Sequence, residues 1–217
     1  MTGAASLIAA EGLSFRYRLG ADHVVRDLSH SFVAGTLTAL TGPSGSGKST
    51  LLYLLGLMLR PSDGVVLWRG LDTTSRADSA RSRIRARAIG FVFQDAVLDP
   101  SRSILSNVTE AGLYAGLDPN WTRRTALGLL EQLGVIGRVD HRPGEISGGQ
   151  AQRVALCRAL VKRPEIILAD EPSGNLDEAS ADVVWATLQS AARDGAAVIV
   201  ATHDLARATT AGEVLEL

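Results

Sequence analysis

One segment constrains the fold of this chain more than any other, the glycine-rich run TGPSGSGKST that ends at Thr50. Gly42 to Ser49 match the spacing G-x-x-x-x-G-K-[ST], directly after an apolar run and directly before LLYLLGL, which has a helical composition. Glycines let successive backbone N–H groups turn inward around a phosphate, and the following helix N-terminus adds positive potential. Lys48 places a compact charge on the outer phosphates, and the Ser49 hydroxyl is a ligand for Mg²⁺. The segment therefore predicts a strand, a phosphate-binding loop and a helix, in that order.

Size and composition favour one large globular domain, for which an inserted subdomain is more expected than a second independent core. The chain has 217 residues, of which 46% are hydrophobic and 21% are charged, and this is far from a disordered or collagen-like mixture. The 22 basic and 23 acidic residues balance to a net charge of -1, so no overall positive field attracts nucleic acid, and we expect no nucleic-acid partner. The single cysteine, Cys157, excludes an internal disulfide and a cysteine zinc cage, which favours a reducing compartment.

Membrane insertion and secretion are not expected from the sequence. The longest apolar runs are about half of the roughly 20 residues that a spanning helix needs. The first residues, MTGAASLIAAEG, also lack the basic region of a secretory signal. We therefore expect a chain that neither spans a membrane nor is secreted by itself.

Two kinds of strand are predicted from the apolar pattern. Leu13, Phe15, Tyr17 and Leu19 alternate with polar residues, which indicates a half-buried antiparallel strand near the N-terminus. Four later runs are short and continuously apolar, which is typical of strands buried on both faces of a parallel sheet. These runs are residues 37–40, 89–93, 166–169 and 196–201. Because strands and helical patterns alternate, we expect an α/β fold whose ligands lie at the carboxyl ends of the parallel strands.

Polar residues that follow the buried strands are candidates for chemistry. Gln94, Asp170 and His203 each come just after such a run, so one crevice is expected to contain them together with the phosphate loop. Polar residues also follow strands simply because loops are hydrated, and this alternative stays open for each residue alone. Asp170 and Glu171 leave their strand in different directions. Asp170 is therefore suited to hold the hydration shell of Mg²⁺, and Glu171 to polarise a water for in-line attack on a γ-phosphate.

The apolar spacing changes between Gln94 and Ser147 to three and four residues, and the two stretches end at Gly116 and Gly134. This pattern predicts a helical insertion. We expect a single domain over residues 1–217, with a nucleotide-binding α/β core of residues 1–95 and 164–217 and a helical subdomain of about residues 96–163.

A second serine-glycine turn, ISGGQ, begins at Ile146 and precedes a helix with an apolar stripe. A serine followed by glycines is a favourable helix start and a second anion site, although a plain helix cap without a ligand is the ordinary interpretation of these residues alone. The longer run ISGGQAQRVALCRALVKRPEIILADEPSGNLD resembles the signature, second phosphate-site and dimerisation-loop sequence of ATP-binding cassette (ABC) proteins. TGPSGSGKST, FVFQ and ATHD also occur in the family's order, so the resemblance covers Tyr17 to His203. The ordered set is very specific, whereas each motif alone is moderately so.

The resemblance implies an ATPase with a P-loop NTPase core, a mostly parallel sheet, an N-terminal antiparallel β subdomain and an inserted α-helical subdomain. It implies ATP and Mg²⁺ as cofactors. Glu171 would be the catalytic base, His203 would contact the γ-phosphate, and Gln94 would sense both Mg²⁺ and the γ-phosphate. The implied metal group is Ser49, Gln94 and Asp170. The implied nucleotide-binding residues are Gly42, Pro43, Ser44, Gly45, Ser46, Gly47, Lys48, Ser49 and Thr50, with Tyr17 stacked on the adenine.

In that family the signature residues act across a dimer interface, on the nucleotide held by the other subunit. The resemblance assigns this role to Ser147, Gly148, Gly149 and Gln150, and it makes Asp177 a link between the two sites. One phosphate loop already surrounds one nucleotide, so a second anion-binding helix terminus is best used on another nucleotide. ATP would then join two subunits, most simply as a homodimer, and hydrolysis would separate them.

The segments IGFVFQ, HRPGEISGGQ and LADEPSGNLD are most similar to those of the lipoprotein-release, macrolide-export and cell-division subgroup of the family. The resemblance implies a peripheral subunit at the cytoplasmic face of the cell membrane that drives a separate permease protein. The alternative is the ATPase of a cell-division-type regulatory complex that transports nothing. A small-molecule kinase with the same phosphate loop is a further alternative, but it would need no SGGQ turn. Substrate, transport direction and permease identity are not predicted.

Several residues have an ordinary structural interpretation beside the functional one. Phe15 and Tyr17 share one predicted strand face, so either is also a candidate core residue. Cys157 is expected to be buried packing on the signature helix. Five arginines between positions 76 and 87 predict a solvated face, with anionic lipid headgroups as the functional alternative. Ile146 replaces the leucine usual in the family, a nearly volume-neutral change. The chain ends shortly after His203, where family members usually continue, so its C-terminal packing is left open.

Overall fold

The computed structural model describes residues 6–18, 20, 22–174 and 176–217. Its N-terminal part contains an antiparallel sheet of four strands in the order β2-β1-β4-β5. These strands are β1 (Ser6–Phe15), β2 (Val25–Val33), β4 (Asp63–Trp68) and β5 (Leu71–Asp72). The predicted antiparallel strand is therefore present, but it ends at Phe15, two residues before Tyr17. The prediction placed Leu19 on this strand, and Leu19 lies outside the described residues.

A second sheet is parallel throughout and has the order β6-β7-β8-β3-β9. Its strands are β3 (Leu37–Thr41), β6 (Ile89–Val92), β7 (Ile166–Asp170), β8 (Ala197–Ala201) and β9 (Glu213–Glu216). All five residues of β3, β7 and β8 are buried, which agrees with their continuous apolar sequences. The four predicted buried strands are confirmed, and the fold class is as predicted.

The two faces of the parallel sheet pack against different sets of residues, because successive side chains on a strand point to opposite faces. On β7, Ile167 packs into one core cluster and Leu168 into the other. On β8, Val198 and Ile199 divide in the same way. The first cluster includes apolar residues of the predicted helical insertion, and the second lies against the helix that follows the phosphate loop. Every residue of these strands therefore contributes to burial.

Seven α-helices occur within the described residues, and they confirm the helical patterns. They are α1 (Lys48–Leu55), α2 (Asp78–Ala88), α3 (Ile104–Ala115), α4 (Pro119–Gln132), α5 (Gly148–Leu160), α6 (Glu178–Arg193) and α7 (Leu205–Ala208). Local signals account for the ends of α3, since Ser103 caps its start and Gly116, with φ 74°, ends it. Helices α3 and α4 lie within the range of the predicted helical insertion, and the division of the chain into core and subdomain stays a prediction. Across the described stretches no helix has the length and apolar character that crossing a membrane requires.

The solvated face predicted for the five arginines is wrong for two of them. Arg81 is buried and donates to the carbonyl of Leu59, and Arg85 is partly buried and donates to the carbonyl of Leu57. Helix α2 has few apolar residues, so the long arginine stems supply packing while the guanidinium groups satisfy carbonyls at the end of the α1 segment.

Candidate nucleotide site

The phosphate loop is shaped by a close approach between two backbone segments. Gly47 has φ 100°, and a Cβ at this position would lie 2.5 Å from the carbonyl oxygen of Val24. Only glycine satisfies both the left-handed conformation and this contact. Gly47 also precedes α1 without a side-chain cap, so the first-turn N–H groups of α1 stay available for an anion.

Lys48 is buried and lies back over the loop that precedes it. Its Nζ donates to the carbonyl oxygens of Gly42, at 2.9 Å, and Pro43, at 3.1 Å. A lysine ammonium has three N–H donors, so one remains for a phosphate oxygen. The loop therefore positions the charge of Lys48 through its own backbone.

Ser49 and Asp170 come together at the carboxyl end of β7. The Ser49 hydroxyl donates to Asp170 Oδ1 at 3.0 Å. Burial raises the pKa of the Asp170 carboxyl, and the Ser49 hydrogen bond and the charge of Lys48 oppose this effect. A hydroxyl and a carboxylate are hard oxygen donors of the kind that Mg²⁺ prefers, and their adjacency fits such an ion.

Glu171 adopts a conformation that is uncommon for a side-chain-bearing residue, with φ 44°. Its Oε2 accepts the backbone N–H of His203 at 3.4 Å, and its Oε1 lies 3.4 Å from His203 Nε2. Among the described residues, the buried Oε1 has no hydrogen-bond partner. Burial raises the pKa of the Glu171 carboxyl, while the His203 N–H and ring lower it in part. A carboxylate oxygen left free beside a phosphate loop is suited to accept a proton from water.

These residues line one cleft of about 360 Å³ at the carboxyl ends of the parallel strands. The predicted site residues in its lining are Ser44, Gly45, Gly47, Lys48, Ser49, Thr50, Gln94, Asp170, Glu171 and His203. Gly42 and Pro43 contribute through their carbonyls to Lys48, and Ser46 has a buried hydroxyl without a hydrogen-bond partner within the described ranges. The structure thus brings the predicted phosphate and strand-end residues together.

Tyr17 lies beside this cleft. It is 63% exposed, its ring packs edge-on against Phe15, and its hydroxyl is 3.1 Å from Thr50 Oγ1. Phe15 is buried, so of the two aromatic residues Phe15 is the core residue. An exposed ring connected to the first turn of α1 is suited to stack on a planar base.

The second serine-glycine turn starts α5 and lies at the surface. Ser147 Oγ accepts the N–H of Gln150, and Gln150 Oε1 accepts the N–H of Ser147, which together form a capping box. Ser147 and Gly148 are exposed, and the turn does not belong to the lining of the cleft. The predicted helix start is present, with Gln150 used inside its own turn.

Asp177 lies close to this turn and caps α6. It accepts hydrogen bonds from the N–H of Ser180, at 2.9 Å, and from its hydroxyl, at 3.0 Å, and these bonds lower the pKa of Asp177. A Cβ on Gly149 would meet Leu176 at 3.4 Å, so the residue before Asp177 packs on the turn. The turn at Ser147 and the start of α6 therefore form one surface, which we call the signature surface.

Two site features have no clear sequence signal. Val24 lines the cleft through a backbone contact with Gly47, which a sequence pattern does not reveal. Arg158 of α5 donates to the carbonyls of Ala96 and Val97 and so connects the segment after Gln94 to the signature helix. Arg158 is more than 60 residues from these partners in the chain, so a local sequence pattern does not predict the contact.

A phosphate loop, a serine-aspartate pair and a glutamate carboxylate at the carboxyl ends of a parallel sheet define a P-loop nucleoside-triphosphatase. The family model "ABC transporter" matches residues 25–174, and the chain belongs to the ABC transporter family of ATPases. The resemblance found in the sequence is confirmed, including its subgroup of lipoprotein-release and macrolide-export proteins.

Relatives of two kinds are similar to this chain. The lipoprotein-releasing system ATP-binding protein LolD of Maricaulis maris is 46% identical over 83% of this chain and 80% of its own length. The macrolide export ATP-binding/permease protein MacB of Rhodopseudomonas palustris is 43% identical over 99% of this chain, which spans only 33% of that longer protein. Among solved structures, a dimeric post-hydrolysis ATP-binding cassette bound to ADP and Pi superposes with a TM-score of 0.90 at 31% identity, over 97% of this chain and 94% of the other.

Proposed function

We propose that this chain binds and hydrolyses ATP as a subunit that dimerises on ATP and drives a separate permease protein. The observation that carries the proposal is the exposed signature surface, which presents a helix N-terminus outside the chain's own cleft. A second copy would use this surface to contact the nucleotide in the first copy's cleft. The similar solved cassette is a dimer with ADP and Pi bound, which supports the dimeric state of the proposal.

In the proposed reaction the phosphate loop and Lys48 bind the triphosphate, and Tyr17 stacks on the adenine. The γ-phosphate lies near Gln94 and His203, and Glu171 accepts a proton from the attacking water. Ser49 and Asp170, with Gln94, would hold Mg²⁺, which neutralises phosphate charge when bound. Glu171 must be ionised to act, so its burial moves the onset of hydrolysis to higher pH than an ordinary glutamate would allow.

The partner surface proposed for the permease is a groove between α2, α3 and α5. Exposed Met58 and Tyr114 lie in it together with Arg83 and Lys162. Apolar side chains beside positive charge suit an amphipathic, acidic segment of a membrane protein. The names of the relatives favour export or release as the task. The proposed place of the subunit is the cytoplasmic face of the cell membrane, beside the permease that it would drive.

Dimerisation is tested with a Glu171→Gln variant, which keeps the site but loses the proposed base. We expect a stable dimer by light scattering only with MgATP. The matched controls are Glu171→Gln with Lys48→Ala, which should not bind ATP, and Glu171→Gln with Ser147→Arg, which should bind ATP and stay monomeric. A Glu171→Gln protein that stays monomeric at saturating MgATP contradicts the proposal.

The permease is tested by co-purification of this chain with candidate permease proteins from the same organism. We expect Arg83→Glu to weaken this association and Arg124→Glu, an exposed residue on α4, to leave it unchanged. A partner that stimulates ATP hydrolysis supports the proposed coupling, and equal loss in both variants would remove the groove from the proposal.

A further inference from the structure

Arg207 contacts three carboxylates, although the phosphate site does not include it. Its guanidinium nitrogens lie 2.6 Å from Glu178 Oε1, 2.7 Å from Asp182 Oδ1 and 2.9 Å from Asp204 Oδ2. The Arg207 side chain is only 11% exposed. In the described part of the chain no other arginine pairs with three carboxylates.

The three carboxylates belong to two helices that begin beside proposed functional residues. Glu178 and Asp182 lie one turn apart at the start of α6, directly after Asp177. Asp204 caps α7, where it accepts the backbone N–H of Arg207 at 3.0 Å, and it directly follows His203. Arg207 therefore connects the segment of Asp177 with the segment of His203.

His203 is held weakly by its own contacts. Its side chain is 51% exposed, and both of its contacts with Glu171 are 3.4 Å long. The following helix α7 has four residues, of which only Ala208 is buried. So short a helix depends on tertiary contacts for its position, and Arg207, which lies on α7, supplies two of them through its charged hydrogen bonds to Glu178 and Asp182 of α6.

We propose that Arg207 is a positioning residue that couples the start of α6 on the signature surface to His203. A contact made at Asp177 by a second subunit would reach α6, then Arg207 and Asp204, and so fix the backbone that presents His203 to the γ-phosphate. The proposal rests on the roles given above to His203 and Asp177. Lys48 and the phosphate loop lie outside this connection, so Arg207 affects turnover more than ATP binding.

The first test compares steady-state ATP hydrolysis of the full chain with Arg207→Gln, Arg207→Lys and, as matched control, Arg193→Gln. Arg193 is exposed at the other end of α6. We expect Arg207→Gln to lower kcat about 10-fold, with KM for ATP changed less than about twofold, since misplacement of a catalytic group acts on turnover. Arg207→Lys should restore part of the loss, and Arg193→Gln should match wild type.

A double-mutant comparison separates positioning from a general structural role. If Arg207 acts through His203, the pair Arg207→Gln with His203→Ala has the same kcat as His203→Ala alone. The proposal is overturned if the kcat losses of Arg207→Gln and His203→Ala multiply in the double variant. It is also overturned if Arg207→Gln, at the same folded fraction as wild type, has an unchanged kcat. ATP-dependent dimerisation of Glu171→Gln, in which Arg207 is intact, is measured in parallel. If this protein does not dimerise, the proposed function fails, and that failure is distinguished from a failure of the role of Arg207.

Discussion

The two glycine-rich turns of this chain both precede a helix, but they are completed in different ways. At the phosphate loop, Gly47 leaves the start of α1 uncapped, Lys48 is buried, and residues from three strand ends surround the loop in one cleft. At the second turn, Ser147 and Gln150 cap each other and the turn is exposed. The first turn is a site within one chain, whereas the second is a surface. This difference is what the proposed ATP-dependent dimer requires, with the second turn of one chain facing the cleft of another.

The largest expected effect contrasts the glycines of the two turns. Gly47→Ala would force a Cβ against the Val24 carbonyl, distort the loop and weaken ATP binding about 100-fold, because each lost N–H bond to a charged group costs about 1.5 to 3 kcal/mol. Gly148→Ala has free space around the added methyl group and should bind ATP like wild type. Isothermal titration with MgATP measures both. Equal losses would show that the two turns serve one intrachain site.

A smaller effect concerns the cap of the second turn. Ser147→Ala removes the oxygen that accepts the Gln150 N–H and should destabilise the protein by about 1 kcal/mol. Ser147→Asp keeps a capping acceptor and should retain this stability, yet it places negative charge where the partner's phosphate would lie. Urea unfolding and ATP-dependent dimerisation are measured on both variants. We expect Ser147→Asp to have normal stability but to fail to dimerise. Normal dimerisation of Ser147→Asp would weaken the contrast between the turns.

The pH dependence of stability tests the first of the two regions, the cleft that contains Glu171. Burial raises the pKa of Glu171 in the folded state, so the folded protein binds this proton more tightly than the unfolded chain does. The free energy of unfolding therefore falls as the pH rises from the ordinary glutamate pKa through the raised one, and it is not reduced below the ordinary pKa. Glu171→Gln should therefore be more stable than wild type at neutral pH, and the difference should vanish near pH 4, where an ordinary glutamate is about half protonated. Urea titrations at several pH values check this. A stability difference between Glu171→Gln and wild type that does not depend on pH would show that the difference arises from packing and not from ionisation.

The smallest expected effect lies inside the signature helix. Cys157 is fully buried, and burial raises its pKa to about 12. We expect negligible reaction with iodoacetamide in the folded protein at about pH 8, because the thiolate is the reactive form. Rapid alkylation under native conditions, followed by mass spectrometry, would show that α5 opens locally; nucleotide would then be expected to change the rate.

Much of the site was predictable because its signals are local. The phosphate loop, the buried strands and the polar residues after them follow from spacing and from the rule that parallel strands end at one edge. Two expectations depended on how far a local pattern extends. The strand containing Phe15 ends before Tyr17, and Arg81 and Arg85 are used for packing and capping, because neighbouring elements determine which side of a short segment is covered.

The sequence by itself determined the phosphate loop, the α/β alternation and the membership of the ABC family, since each depends on residues that are close in the chain. Only the tertiary structure decided which distant groups meet. It placed the Val24 carbonyl against Gly47, the His203 N–H on Glu171, and the Arg207 side chain of α7 against two carboxylates of α6. Such contacts join residues through packing of separate elements, and no local propensity or spacing specifies them.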